Sequence, residues 1–287
     1  MSLPWSKSIR IRIEPHRVSA MTRRAWPSRA APGQAEALVD AVAAGVAPEP
    51  AALAASVSSA LDAVLASLAA TAPLQGARMQ VELADSLVHL DVIEGDFSRS
   101  SDRELQTIAD ACTAEVLGDA TSSHVLRWVL QRREHHLFVC AVPRVWLDLL
   151  LGAMSRHGMS LRYVSPAFAR QWNRHGHAFA SGAGVFAVRQ HASTVIAWVD
   201  RGVVCSVGTS PLPGCATLDA GAGVWWLDRQ VDRFLASIGH PAAADHRFVV
   251  APGLANRASY SPRWQVATEV SNPAAEARNA ATLPPEA

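Results

Sequence analysis

The sequence predicts an α/β protein with two lobes, and three observations support this. Residues 138–166 read as an apolar strand that stops at Pro143, a helix that ends at Gly158, and a second strand, which is the order of a strand, a crossover helix and a parallel strand. Three more strand patterns follow in close order, at 185–189, 194–200 and 203–208. A chain of 287 residues is long enough for two hydrophobic cores.

The amino-terminal part of the chain predicts a hairpin followed by two helices. Residues 8–14 alternate, with isoleucines on one face and charged side chains on the other, and 18–26 return as a second strand. From 34 to 72 the composition becomes alanine-rich, with Leu and Val spaced at threes and fours. Two helices fit this segment, with a break at Pro48 and Pro50, because proline interrupts helical hydrogen bonding.

A second hairpin is predicted at residues 78–93, where two strand patterns flank Ala84 and Asp85. The next segment, 101–117, is an amphipathic helix pattern in which Ser101 and Glu104 form a capping box. Residues 125–130 and 136–142 then read as two strands.

The carboxyl-terminal part begins with a short helix after Pro166 and a polar connection over 173–184. Arg201 and Gly202 form a tight turn between two of its strands. A helix over 225–238 and a strand over 248–251 follow. Each half of the chain therefore begins with antiparallel strands and continues into helix and strand.

The charge balance excludes several function classes. With 26 basic and 25 acidic residues the net charge is +1, which gives no electrostatic argument for nucleic acid or for a membrane surface. No apolar h-region follows the first residues, and no run reaches the roughly 18 uninterrupted apolar residues of a membrane span.

Cysteines 112, 140, 205 and 215 contain no CxxC pair, so we expect buried, reduced thiols in a cytosolic protein.

The eleven histidines do not form a metal-binding pattern. His135 and His136 are neighbours, whose side chains diverge in a strand and do not converge in a helix. His175 and His177 could converge in an extended segment, but no carboxylate or cysteine lies close by in the sequence. We therefore predict no metal ligands.

The sequence also contains no complete glycine-rich nucleotide-binding motif and no nucleophile motif. Gly182, Gly184 and Ala187 match the loose dinucleotide fingerprint, but a polar loop precedes them and a strand follows, which is the wrong order. Residues 221–223 open a helix, yet Trp226 occupies the place of the third small residue. There is no P-loop and no G-x-S-x-G elbow. The sequence predicts no catalytic and no cofactor-binding residue.

The remaining candidates are acidic and aromatic. Four acids lie between 85 and 96, and most of them are expected to form a solvated face. Trp225 and Trp226 are adjacent on a helix and cannot both face a core, which favours a protein partner. Trp128, Trp146 and Trp198 fit core positions. The partner-binding residues are unknown at this stage.

The order of these elements resembles a known family. The run 83–93 (LADSLVHLDVI), the helix 102–117, the segment 138–166 and the triple strand 185–208 together resemble the PilM-like and GspL-like proteins, and the opening RIRIEPHRVSAM resembles that family's first hairpin. These are actin-like (ASKHA) cytoplasmic components of type IV pilus and type II secretion assemblies. The resemblance covers about residues 8 to 255.

The resemblance implies two lobes, each a mixed sheet with flanking helices, around a degenerate nucleotide cleft. It places the amino-terminal lobe at 1–170, with an alanine-rich helical insertion at 34–72, and a smaller lobe at 171–271. Residues 272–287 contain hardly any apolar bulk and are expected to form a disordered tail.

The phosphate loops of nucleotide-using relatives are not preserved. The first hairpin carries a D-x-G type loop in those relatives, whereas here the turn reads Glu14-Pro15-His16-Arg17. The second position, 187–193, has no glycine, and 251–256 (APGLAN) is at best a remnant of an adenosine loop. No functional residue of the family can be carried over, and we expect no cofactor, ATP included.

The resemblance therefore implies a non-catalytic scaffold of a pilus or secretion platform, cytoplasmic and peripheral to the inner membrane through its partners. Its partners would be proteins, either the cytoplasmic peptide of a membrane-anchored component or an assembly ATPase, with no nucleic acid and no membrane insertion; a homodimer is left open. The alternative is an ATP-dependent phosphotransferase or ATPase of the sugar-kinase type. A third option is an unrelated α/β enzyme.

Overall fold

Thirteen strands and five helices are present in the described part of this computed structural model, which comprises residues 8–23, 33–39, 50–71, 73–132, 134–190, 193–211, 220–240, 246–251 and 260–267. The strands are β1 (Ser8–Glu14), β2 (Arg17–Arg23), β3 (Gln34–Leu38), β4 (Arg78–Leu83), β5 (His89–Glu94), β6 (His124–Leu130), β7 (His136–Pro143), β8 (Ser160–Pro166), β9 (Ala183–Arg189), β10 (Ser193–Asp200), β11 (Val203–Pro211), β12 (Arg247–Ala251) and β13 (Trp264–Val266). The helices are α1 (Pro50–Thr71), α2 (Asp102–Leu117), α3 (Arg144–His157), α4 (Ala167–His175) and α5 (Ala220–Ser237).

The chain forms two compact units. The first contains the described residues of Met1–Ile93, Arg99–Val129 and Leu137–Ala167, and the second contains those of Glu94–Ser98, Leu130–His136 and Phe168–Ala287. The domain bounds drawn from the sequence, 1–170 and 171–271, stay a proposal. The tail predicted at 272–287 lies outside the described residues, as do Cys215 and most of the APGLAN segment.

The first sheet has the strand order β3-β2-β1-β4-β8. Strand β1 pairs antiparallel with β2 and parallel with β4, and β4 pairs parallel with β8. The predicted alternation of β1 is confirmed, because Ile9, Ile11 and Ile13 are buried in the core. That core is completed by apolar side chains of α1 and α3, among them Val57, Leu61, Leu65, Trp146 and Leu150.

The prediction of a helix that starts at residue 34 is wrong. Gln34–Leu38 is strand β3, which pairs antiparallel with β2 and forms the edge of the first sheet. Alanine has a high helix propensity, but the pairing with β2 overrides that local preference. The proposed break at Pro48 lies outside the described residues, and the second predicted helix is α1.

Two predicted connections are also wrong. Strands β4 and β5 do not form a hairpin, because a 3-10 turn at Asp85–Leu87 separates them and they belong to different sheets. Strands β7 and β8, on either side of α3, likewise lie in different sheets. The local patterns identified these strands correctly, but alternation does not specify which strand is the neighbour.

The third sheet is small, with the order β5-β7-β6, and α2 precedes its last two strands. The capping box predicted for α2 is confirmed, since the Ser101 side chain accepts from the Glu104 amide while Glu104 accepts from the Ser101 amide. The predicted end of α3 is also confirmed, because Gly158 adopts the left-handed conformation with φ 59°.

The second sheet repeats the order of the first, as β11-β10-β9-β12-β13. Strand β9 is antiparallel to β10 and parallel to β12, and β12 is parallel to β13. Leu227, Val231 and Leu235 of α5 pack against one face. An aromatic cluster formed by Phe168, Trp172, Phe179 and Phe186 belongs to the same unit.

Helix α1 is long and apolar enough to cross a membrane, by length and composition only. Its Leu and Val side chains, among them Val57, Leu61 and Leu68, are buried in the first core, and 44% of its most apolar window is buried. That burial is typical of a core helix that connects β3 to β4.

Candidate functional site

The turn between β1 and β2 is closed by an ion cluster. Glu14 is 4% exposed, and its Oε2 accepts hydrogen bonds from Nε and Nη2 of Arg17 at 3.1 and 3.0 Å. The Nε2 atom of His16 lies 3.5 Å from the same oxygen, and Nη1 of Arg17 lies 3.4 Å from Oε1 of Glu36. This carboxylate is therefore committed to neighbouring side chains within the turn Glu14-Pro15-His16-Arg17.

Backbone hydrogen bonds hold this turn in the sheet. The Val39 amide donates to the His16 carbonyl at 2.9 Å, and the Ala84 amide donates to the Ile13 carbonyl at 2.8 Å. The second bond brings the residue before Asp85 beside the end of β1. Two buried acids thus lie near the ends of neighbouring parallel strands, because Glu14 is the last residue of β1 and Asp85 comes two residues after β4.

Asp85 differs from the other acids of its segment. It is 1% exposed, whereas Asp91 is partly exposed and Glu94 and Asp96 are exposed, so Asp85 is the exception to the predicted solvated face. Burial, together with the Asp85 charge, raises the pKa of the Cys140 thiol to about 12. Cys140 is therefore protonated at neutral pH and is not a nucleophile.

One glycine of the loose dinucleotide fingerprint, Gly184, has a structural explanation. Gly184 lies within β9 and pairs with Arg247 of β12, and a Cβ atom at Gly184 would overlap the Arg247 backbone. Glycine is needed here for a close approach of two strands. In the following turn, the Gln190 amide donates to the Ser193 carbonyl at 2.8 Å, and residues 191–192 are outside the described part.

Among the described residues, no group of three or more His, Cys, Asp or Glu side chains could hold a metal ion. His175 is buried near the end of α4, whereas His177 is exposed and its Nδ1 contacts the Arg174 carbonyl at 3.0 Å. Of the predicted core tryptophans, Trp146 and Trp198 are buried. Trp226 packs partly buried against the second core.

A groove lies beside β6 in the first unit, and we call it the β6 groove. It encloses about 670 Å³, including space open to solvent. Its lining residues are Gln106, Asp110, Thr113, Thr121, His124, Val125, Leu126, Arg127 and Arg144. These come from α2, the 3-10 turn that follows it, β6 and the start of α3.

Strand β6 is an edge strand in the described order β5-β7-β6, so one of its sides has no neighbouring strand in that sheet. Successive side chains of β6 point to opposite faces of the sheet. The indole Nε1 of Trp128 donates to Gln106 Oε1 at 2.8 Å, and Gln106 Nε2 donates to Asp110 Oδ1 at 2.9 Å, which fixes one wall of the groove. Val129 is 63% exposed and Arg127 is exposed. An unpaired edge with an exposed apolar side chain is a template for another strand.

The charge of the groove is positive on balance. The lining contains two arginines, Arg127 and Arg144, and one acid, Asp110. Both arginines donate to carbonyl oxygens, from Arg127 Nη1 to Leu126 at 3.1 Å and from Arg144 Nε to Ser122 at 3.4 Å. Within the described ranges neither guanidinium forms an ion pair, so both can donate hydrogen bonds to an added carboxylate.

His124 contributes a second polar group. Its Nδ1 lies 2.7 Å from the Ala120 carbonyl, a contact that requires Nδ1 to carry the proton. In the neutral ring Nε2 is then the acceptor.

The sequence located β6 as a strand but gave no sign that it is an edge, because edge position depends on contacts distant in sequence.

No family model and no curated protein matches this sequence. One solved structure, the PilM-PilN type IV pilus biogenesis complex, contains a chain with a TM-score of 0.55 and 17% identity over 87% of this chain and 82% of that one. The chain has an actin-like fold.

Two further solved structures are similar at lower TM-scores. The cytoplasmic domain of EpsL, an inner-membrane component of the type II secretion system of Vibrio cholerae, has a TM-score of 0.49 and 13% identity over 92% of this chain and 87% of that one. A protein with an actin-like ATPase fold and unknown function from Bacteroides thetaiotaomicron also reaches 0.49, with 7% identity over 88% and 84%. The actin-like fold predicted from the resemblance is confirmed.

Proposed function

We propose that this chain is a non-catalytic, cytoplasmic scaffold of a type IV pilus or type II secretion platform. In this proposal it lies at the inner membrane by binding the cytoplasmic segment of a membrane-anchored partner. The fold supports it, since a chain of similar fold is found in the PilM-PilN complex. The ion cluster at Glu14 supports the non-catalytic part, because it occupies the turn that would otherwise approach a phosphate.

The observation that carries the proposal is the unpaired edge of β6 beside a groove with two guanidinium groups. An extended peptide can add to such an edge through backbone hydrogen bonds, while its side chains enter the adjacent groove. Arg127 and Arg144 of the groove favour a segment that carries a carboxylate. Val125 of the lining and the exposed Val129 of the same strand favour aliphatic neighbours. The partner we propose is thus an extended segment with acidic and aliphatic residues. An assembly ATPase as partner and a homodimer are outcomes that the same experiment distinguishes.

The first experiment identifies the partner. Tagged protein is used for capture from native membranes, in parallel with Arg127→Glu and with Arg103→Glu, a charge reversal at an exposed position of α2 that does not line the groove. We expect a membrane-anchored protein to be captured by the wild type and Arg103→Glu and lost with Arg127→Glu. Equal capture by all three would contradict the groove as the site.

The second experiment measures affinity directly, by fluorescence anisotropy with a synthetic peptide of the captured protein's cytoplasmic segment. Reversing Arg127 or Arg144 should weaken binding by about 10- to 100-fold, because a carboxylate then faces a like charge. Replacing the peptide's acid with lysine should restore binding to the reversed variant. Failure of that exchange would contradict the proposed charge pairing.

A further inference from the structure

The guanidinium of Arg127 lies on the backbone of its own strand. Its Nη1 donates to the Leu126 carbonyl at 3.1 Å. Successive side chains of a strand leave opposite faces, and the next side chain, Trp128, donates to Gln106 of α2. The Arg127 side chain therefore starts on the face away from α2 and bends back to the backbone of β6.

The Leu126 carbonyl points to the open side of β6. At the end of the hairpin that β6 and β7 form, the Gln131 amide donates to the His136 carbonyl at 2.9 Å. In an antiparallel pair the backbone groups of alternate residues face the neighbouring strand, so in this register the odd-numbered residues of β6 bond to β7 and the even-numbered ones face outward. Leu126 belongs to the second set, on an edge strand.

Arg127 therefore occupies the position that an added strand needs. The amide nitrogen of a paired strand would lie about 2.9 Å from the Leu126 oxygen, which is close to the place of Nη1. Charged side chains at an edge are a general way to prevent pairing with further strands. Val129, which is 63% exposed and leaves β6 on the same face as Arg127, would otherwise favour such pairing.

We infer that Arg127 is a specificity-determining residue of the β6 groove. It keeps the edge of β6 closed to neutral segments and leaves the Leu126 carbonyl when a segment supplies a carboxylate. This inference rests on the proposed function, because it concerns the same site. A guanidinium forms a stronger hydrogen bond with a carboxylate than with a neutral carbonyl. An acid beside Arg127 thus compensates for the bond that breaks, and a neutral side chain does not.

Arg144 provides a matched control. It is the other arginine of the groove, at the first residue of α3, and its Nε donates to the Ser122 carbonyl at 3.4 Å. Ser122 belongs to the 3-10 turn that precedes β6, so this guanidinium attracts a carboxylate without covering the strand. Replacing either arginine with methionine removes one positive charge and all five donors and keeps an unbranched side chain.

Two peptides test the inference in fluorescence anisotropy: the synthetic cytoplasmic segment of the captured protein, and an analogue in which each Asp or Glu is replaced by Asn or Gln. We expect Arg127→Met to bind the neutral analogue about fivefold or more tightly than the wild type does, because no guanidinium has to be displaced. Arg144→Met should bind the analogue with wild-type affinity. The preference for the acidic peptide should fall most in Arg127→Met.

A measurement on the free protein does not depend on the partner. In sedimentation velocity of the full chain at increasing concentration, Arg127→Met should form dimers through the opened edge where the wild type and Arg144→Met do not. Adding Val129→Lys to Arg127→Met returns a charge to the same face of β6 and should abolish this association.

The failure of the inference and the failure of the proposed function give different results. A neutral analogue that binds Arg127→Met no more tightly than the wild type would overturn the inference and leave the proposed function intact. Peptides that bind neither the wild type nor any variant would overturn the proposed function. Sedimentation then tests the closed edge alone: a dimer specific to Arg127→Met supports it, and an Arg127→Met variant that sediments like Arg144→Met overturns it.

Discussion

The Glu14 carboxylate lies at the end of β1, buried, with Arg17 and His16 around one of its oxygens. The sequence showed that this turn contains a proline and no glycine, which is enough to predict that it differs from a phosphate loop. It could not show that Arg17 folds back onto Glu14, because that contact requires β2 to pair with β1 in the observed register. The sequence therefore predicts which residues form this turn, but it does not predict the contact between Arg17 and Glu14.

His136 gives a prediction about pH. Burial lowers its pKa from the usual value, against the raising effect of the Glu94 and Asp200 carboxylates, while His135 lowers it further. The unfolded chain therefore binds a proton at this residue more readily than the folded one. The free energy of unfolding should fall as pH drops below about 6.5, and the loss should level off below the folded pKa.

Urea denaturation of the wild type and of His136→Gln between pH 8 and pH 5 measures this contribution. The variant should lose less stability than the wild type on acidification, and His177→Gln, at an exposed position, should behave like the wild type. An identical loss in the wild type and in His136→Gln would show that His136 does not contribute.

Single elements were predicted best where the signal was local. The capping box of α2 and the end of α3 at Gly158 depend on residues a few positions apart, and both are as predicted. The alanine content of strand β3 predicts a helix because it is a local signal, whereas the pairing of β3 with β2 is not local. The prediction that β4 and β5 form a hairpin is also wrong, because the two strands pair in different sheets and strand pairing is not a local signal.

Gly184 provides a prediction for the second sheet. Gly184→Ala should destabilise the protein by about 2 to 4 kcal/mol, because the added methyl would overlap the Arg247 backbone in the adjacent strand. The matched control is Gly152→Ala in α3, where the nearest atom is the flexible Arg156 guanidinium and alanine favours a helix.

Chemical denaturation of both variants checks this difference. Gly152→Ala should be neutral or up to about 1 kcal/mol more stable than the wild type. A Gly184→Ala variant as stable as the wild type would mean that β9 and β12 are not as close as described.

At the scale of the molecule, the main feature is that the two five-stranded sheets have the same strand order. The sequence indicated two halves with similar beginnings, and the family resemblance supplied the actin-like fold. The β6 groove was not predictable, because its walls come from α2, β6 and the start of α3, and only the tertiary structure brings them together.

The scaffold proposal and the phosphotransferase alternative differ in one property, the binding of Mg-ATP. Titration calorimetry of the full chain with Mg-ATP, with Glu14→Gln and Asp85→Asn alongside, tests it most directly. We expect no binding at micromolar concentrations, since the turn after β1 is filled by the Glu14 and Arg17 ion pair. Micromolar affinity that either substitution abolishes, or turnover of ATP by the wild type, would contradict the account.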